Sequence, residues 1–233
     1  MKEAVRQVSG EEVEIAGASR TDSGAHALGQ VAHFDTKVAI EPAKWPRVLN
    51  KVLDRDVRVV RAEAVAQAFH SRFSADARWY RYRILEGQGD PFRSRFTFEH
   101  WRRLDVEAMC LGASMLVGEH DFRAYTEELG PDVENTVRML HSVEVRRARD
   151  EVRIDVVGSA FLRGMMRRIA GGLLETGLNR RTTAGIAELL DPGKRDALQW
   201  PVVLPARGLT LMRVRYGRHP KDSRRPVTDG SEE

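Results

Sequence analysis

Asp22 stands in the run Arg20-Thr21-Asp22-Ser23-Gly24, between two stretches that read as strands. A single carboxylate on such a turn can serve as a positioned nucleophile toward a sugar or base carbon. Arg20, two residues away, would keep it ionised and oriented. The same Asp-Ser-Gly is ordinary turn material, and an Asx turn there needs no chemistry. An Arg–Asp pair also occurs in purely structural settings, so Arg20 decides nothing by itself. Tyr80 and Tyr82 fall on one face of a strand. Two aromatics so placed are the common make-up of a core, and Tyr80 could equally offer a ring to a nucleobase. Arg167, on the strongest helical stretch, could reach a carboxylate or a phosphate.

Other chemistries are excluded. No G-x-x-x-x-G-K run and no strand-coupled G-x-G-x-x-G occurs, so no nucleotide cofactor is expected. The one cysteine, Cys110, cannot form an internal disulfide, and no Cys/His spacing suits a metal. We therefore expect no cofactor and no metal. His26, His33, His70 and His120 are scattered along the chain and receive no role.

The elements that must position these residues follow from periodicity. Ala4, Val5 and Val8 mark a short helix that stops at Gly10. Val13 and Ile15 alternate with acids as in a strand; residues 30–36 and 57–64 read as further strands, with a helix over 43–53. Residues 78–85 alternate cleanly, with Tyr80, Tyr82 and Ile84 on one face and Trp79, Arg81 and Arg83 on the other. A connecting segment runs to about residue 103. A helix capped by Asp105 follows, then a turn at 118–122. Residues 136–148 and 151–158 form a hairpin around Arg149-Asp150. Residues 160–176 form a helix with Phe161, Met165, Ile169 and Leu173 as its apolar stripe. Gly171-Gly172 inside it costs ~1 kcal/mol per glycine, so something should pack there. A helix over 182–190 and a strand over 209–216 close the order. This pattern predicts the α+β class, antiparallel sheet with helices on one side.

The chain of 233 residues carries a net charge of +4, most of it on arginine, since lysine occurs only at 2, 37, 44, 51, 194 and 221. Arginine grips phosphate bidentately and stacks on bases, which leans toward a nucleic-acid partner; a GC-rich genome, which replaces lysine by arginine, would leave the same mark. No apolar run is long enough to span a membrane and the start lacks a signal-peptide core, so a cytoplasmic setting is expected.

The run from Arg20 to Phe34 resembles the RTD-x-G-x-HA-x-GQVAHF loop of the TruA-type tRNA pseudouridine synthases. Further segments are similar in the same order: Leu49–Tyr82, with Phe69-His70-Ser71-Arg72 and Arg78-Trp79-Tyr80-Arg81-Tyr82; Gly118–Phe122 with Thr136-Val137-Arg138; Gly158–Gly177; and Pro205–Leu211. The resemblance implies two similar halves with an RNA cleft between them, a catalytic half at 1–90, a half at 91–217 and a disordered tail at 218–233. It implies isomerisation of uridine to pseudouridine at positions 38–40 of the tRNA anticodon stem-loop, without cofactor or metal, by a homodimer. It makes Asp22 the catalytic aspartate, Tyr80 the tyrosine stacked on the target base and Arg167 the arginine that pairs with the aspartate. It makes Arg20 the loop arginine that displaces the target nucleotide.

Two departures stand out. Ser19 replaces the glycine that opens the family loop, and would strain it if that site needs φ > 0. The family's opening strand, with its Tyr-Asp-Gly segment, does not precede the first helix, so an in-frame upstream sequence is expected. A second reading is therefore a non-catalytic or impaired RNA-binding relative. A third, a carboxylate-pair hydrolase, lacks a second acid in a comparable setting.

Overall fold

The structure, a computed structural model, describes residues 1–126 and 135–217; the tail expected at 218–233 lies outside them. In chain order the elements are α1 (Lys2–Ser9), β1 (Ala16–Gly17), β2 (His26–Ala27), β3 (Ala32–His33), α2 (Trp45–Val52), β4 (Ala75–Glu86), β5 (Phe98–His100), α3 (Val106–Ser114), β6 (Gly118–Asp121), β7 (Val137–Ala148), β8 (Glu151–Gly158), α4 (Met165–Gly177), α5 (Thr183–Glu188) and β9 (Leu209–Tyr216). They gather into two compact units. One comprises Met1–Arg20 with Val31–Ala75; the other comprises Thr21–Gln30 with Asp76 onward.

In the first unit, Ala4 and Val5 of α1 meet Trp45 and Leu49 of α2, and Val8, Val13, Ile15 and Phe34 pack around them. Gly10 closes α1 in the left-handed region at φ 74°, where glycine carries no Cβ penalty. The strands predicted at 13–15 and 30–36 shrink to two paired residues each, Ala16↔His33 and Gly17↔Ala32. Val13 and Ile15 alternate because they are packed on the helices, not because they join a ladder. Residues 57–64, predicted as a strand, pair with no strand among the described residues. The Asn50 side chain takes the partner's place at Val59: its amide donates to the Val59 carbonyl and its oxygen accepts from the Val59 N–H, both at 2.8 Å. Ser71 is fully buried, and its hydroxyl donates to the Ala16 carbonyl at 2.7 Å.

The second unit is built on one seven-stranded sheet, in the order β2-β9-β4-β8-β7-β6, with β5 added on β4. β4, β8, β7 and β6 are antiparallel neighbours, whereas β2 runs parallel to β9 and β5 parallel to β4. The class is α+β as expected, and the sheet is mixed. Tyr80, Tyr82 and Ile84 are buried on one face of β4. The other face is tied to β8 by Arg81–Asp155 at 2.8 Å and Arg83–Glu151 at 2.6 Å. Asp105 caps α3 by accepting from the Ala108 N–H at 3.0 Å.

Several boundaries differ from the sequence reading, each for a physical reason. α4 starts at Met165 instead of residue 160, because Gly164 sits left-handed at φ 68° and breaks the helical path. The connecting segment after residue 91 is part of the sheet: Phe98–His100 pairs with Ile84–Glu86, and Thr97 is buried. Residues 118–121 form the edge strand β6, not a turn. The halves expected at 1–90 and 91–217 do not coincide with the compact units. Residues 78–85 pair continuously with 151–158, which carries β4 into the later sheet. Ser19 keeps an ordinary backbone, since among the described residues Arg149 and Asn179 are those other than glycine with positive φ. The strain expected from a serine there does not arise.

Candidate active site

Residues Thr21–Gln30, which carry Asp22, belong to the second unit. Its tip is a tight turn: the Ala25 N–H donates to the Asp22 carbonyl at 3.0 Å. Gly24, third in that turn, has φ 85°, as a type II turn requires at that position. His26 and Ala27 then run alongside Thr210 and Leu211 of β9. The Leu28 and Gly29 N–H groups both donate to the Leu211 carbonyl, at 2.9 and 3.3 Å. Gly29 lies so close that a Cβ there would come within 2.5 Å of the Met212 carbonyl oxygen. The loop is thus fastened to the sheet by backbone on its far side, leaving the Asp22 side of the turn to chemistry.

Asp22 meets Arg167 of α4. Arg167 Nη1 donates to Asp22 Oδ2 at 2.7 Å, with the two side chains 18% and 28% exposed for Arg and Asp. The pair is partly shielded yet open to a ligand. Arg167 is itself aimed: its Nε donates to the Leu204 carbonyl at 2.6 Å, and the Leu204 N–H returns a bond to the Arg167 carbonyl at 3.4 Å. One residue on, the Pro205 carbonyl accepts from the Tyr82 hydroxyl at 2.7 Å. Burial pushes the Tyr82 phenol far above its ordinary range against the pull of Arg167 and Arg207, so it stays a neutral donor. Segment 204–205 therefore joins α4 and β4 behind the Asp22–Arg167 pair. Ala206 lies 3.8 Å from where a Cβ on Gly24 would be.

The structure brings Asp22 and Arg167 together across 145 residues of sequence. Arg20 is placed otherwise: it is exposed and makes no hydrogen bond or ion pair among the described residues. The guanidinium that orients Asp22 is Arg167. Tyr80 lies on the same face of β4 as Tyr82, about 7 Å further along at strand spacing. It is 5% exposed, and its ring meets Phe161 edge-to-face at 4.9 Å.

Sequence reasoning missed His26. Its Nε2 is 2.7 Å from the Arg95 carbonyl, and its ring lies 4.7 Å from Phe96. A carbonyl only accepts, so Nε2 carries the proton. The loop is pinned to the segment leading into β5, and Arg207 Nε donates to the Thr97 carbonyl in the same segment at 3.2 Å. Nothing in the sequence links position 26 to position 95.

The acids nearest along the sheet are committed elsewhere. Asp155 accepts from Trp79 and Arg81, and Glu151 from Arg83 and Arg153. No group of His, Cys, Asp and Glu that could hold a metal occurs among the described residues. None of their helices is long and apolar enough to cross a membrane. The arrangement is one aimed carboxylate with one guanidinium.

Comparison with known proteins agrees. A family model described as tRNA pseudouridine synthase matches residues 1–74 and 113–217. The tRNA pseudouridine synthase A of Bacillus licheniformis is 39% identical over 207 residues, covering 88% of this chain and 83% of that protein. That of Halalkalibacterium halodurans is 39% identical over 189 residues, covering 81% and 72%. The tRNA pseudouridine synthase A 2 of Clostridium tetani is 35% identical over 217 residues, covering 93% and 86%. With the aimed aspartate on its turn and similarity along most of its length, the chain belongs to the tRNA pseudouridine synthase family, whose members are isomerases.

Proposed function

We propose that the chain isomerises uridine to pseudouridine at positions 38–40 of the tRNA anticodon stem-loop, with Asp22 as the nucleophile. The observation that carries this reading is the Asp22–Arg167 pair at 2.7 Å on a loop fastened to β9. Arg167 engages Oδ2; Oδ1 accepts no hydrogen bond among the described residues and is the oxygen available to a substrate carbon. The reaction breaks the C1′–N1 bond, turns the uracil and joins C1′ to C5. The C5 proton is lost and N1 gains one, so the product is an isomer. A carboxylate attacking C1′ releases the uracil and forms a transient sugar ester, which C5 of the turned uracil then displaces; one adding to the uracil ring keeps hold of the base while C5 bonds to C1′, and is eliminated as C5 loses its proton. Neither route needs a metal or a cofactor.

The target base must leave its stack, at a cost of a few kcal/mol. Arg20, exposed and unpaired among the described residues, suits the displacement of the nucleotide. Tyr80 is the ring on which the uracil stacks while it turns. The active form is a cytoplasmic homodimer in which one tRNA contacts both subunits. One observation favours a second reading, RNA binding without turnover: the 5% exposure of Tyr80 leaves its face covered until Phe161 or its surroundings move. Unmodified tRNA incubated with the full chain separates the two. Pseudouridine confined to positions 38–40 supports the isomerase; bound but unmodified tRNA supports the second reading.

A further inference from the structure

We propose that His100, Trp101, Arg102 and Arg103, beyond β5, form a second RNA-contact surface separate from the Asp22 pocket. Trp101 is 74% exposed, so most of its ring is open to solvent. It is nonetheless ordered into a stack. The His100 ring lies parallel to it, 12° between planes with centroids 6.3 Å apart. The Arg102 guanidinium sits 4.7 Å from the Trp101 ring centroid. No carboxylate comes within ion-pair distance of Arg102 or Arg103 among the described residues, and Arg103 acts on Glu86 only at longer range. Elsewhere on this end of the sheet arginines are matched: Arg93 with Asp90 and Asp150, and Arg147 with Glu86. An exposed indole beside two exposed guanidinium groups outside any close ion pair suits a polyanion that also carries flat bases. Stacking holds a base and the arginines hold the phosphates flanking it.

The segment is joined along the chain to the contact that holds the Asp22 loop. The segment 95–97 that grips His26 leads directly into β5, and six residues from Arg95 to Trp101 span at most about 20 Å. The segment lies between the two stretches matched by the family model, 1–74 and 113–217. The proposal rests on tRNA being the substrate, and it concerns where else that RNA is held.

The test is equilibrium binding of unmodified tRNA to the full chain, with steady-state pseudouridine formation measured on the same preparations. Trp101→Ala should weaken binding about tenfold, equivalent to about 1.4 kcal/mol, and raise KM with kcat changed less than twofold. Trp101→Phe should restore most of the affinity. Arg102→Ala with Arg103→Ala should lower the slope of log affinity against log salt by roughly 1 to 2. These side chains are exposed, so loss of folding is not expected, and an unchanged melting temperature checks it. Unaltered affinity and salt slope would overturn the proposal, as would an effect of Trp101→Ala on self-association alone, which would mark a protein interface. If wild type binds tRNA through Trp101 yet makes no pseudouridine, the surface stands and the isomerase reading fails. If wild type isomerises and Trp101→Ala binds normally, only the surface fails.

Discussion

Oδ1 of Asp22 is left open by the way Oδ2 is held, and the geometry of that hold is set by Arg167 and the Leu204 carbonyl. Lysine has one compact ammonium and cannot donate to both acceptors in the same fork. Arg167→Lys should therefore lower kcat roughly a hundredfold, the order expected from misplacing a reacting group by about 1 Å, with tRNA affinity nearly unchanged; single-turnover rates and filter binding check it. His26 acts through the loop. His26→Phe keeps a ring against Phe96 but loses the donor to the Arg95 carbonyl, whereas His26→Gln keeps a donor. Glutamine should retain most of kcat and phenylalanine should lose about tenfold or more; equal losses in both would assign the role to the ring contact. At this scale the sequence made Asp22 readable as a turn carboxylate, and resemblance named Arg167. It could not show that His26 is bonded, because its partner Arg95 lies 69 positions away.

Elements with a strong period were legible before any coordinates. The alternation in 78–85 and the apolar stripe through Ile169 and Leu173 report burial on one face, and burial is what the fold preserves. The start of α4 and the short strands were not, because Gly164, Asn50 and the packing of Val13 and Ile15 act locally against the pattern. The glycine pair in α4 was read correctly as a close approach. A Cβ on Gly171 would stand 1.9 Å from the Val202 carbonyl oxygen, and one on Gly172 would press on Ile186 and Pro201. The segment that crosses there runs on to Leu204 and Pro205, so the glycines let the chain reach the two carbonyls that support the site. Gly171→Ala gains helix propensity of about 1 kcal/mol but forces backbone apart. The net should be destabilisation of about 1–3 kcal/mol, a melting temperature lower by roughly 3–10 °C, and a kcat that falls with it. A more stable Gly171→Ala variant would show that the crossing is looser than described.

For the molecule as a whole, arginine–carboxylate pairs tie the sheet of the second unit together. Burial alone would raise the carboxyl pKa of Glu151, but Arg83 and Arg153 outweigh it and hold the group below the usual carboxylate range; Arg147 and the Leu104 N–H do the same for Glu86. A depressed folded pKa gives stability that is fully present above the unfolded value of about 4.5 and is lost as pH falls through the lower folded value. The melting temperature should therefore be flat from neutral pH to about 5 and fall steadily below about 4.5; Glu151→Gln should flatten that acid limb and lower stability at neutral pH. The α+β class was readable from element order, while the assignment of the Asp22 loop to the later sheet was not, because it depends on the parallel pairing of two residues of β2 with β9. That pairing is what sets Asp22 against α4. The most direct measurement is pseudouridine mapping, position by position, on an unmodified anticodon stem-loop in single turnover with wild type and with Asp22→Asn. Pseudouridine at 38–40 is expected from wild type and none from Asp22→Asn, with RNA affinities within a few-fold of each other. Pseudouridine formed by Asp22→Asn at a rate near that of wild type would contradict it.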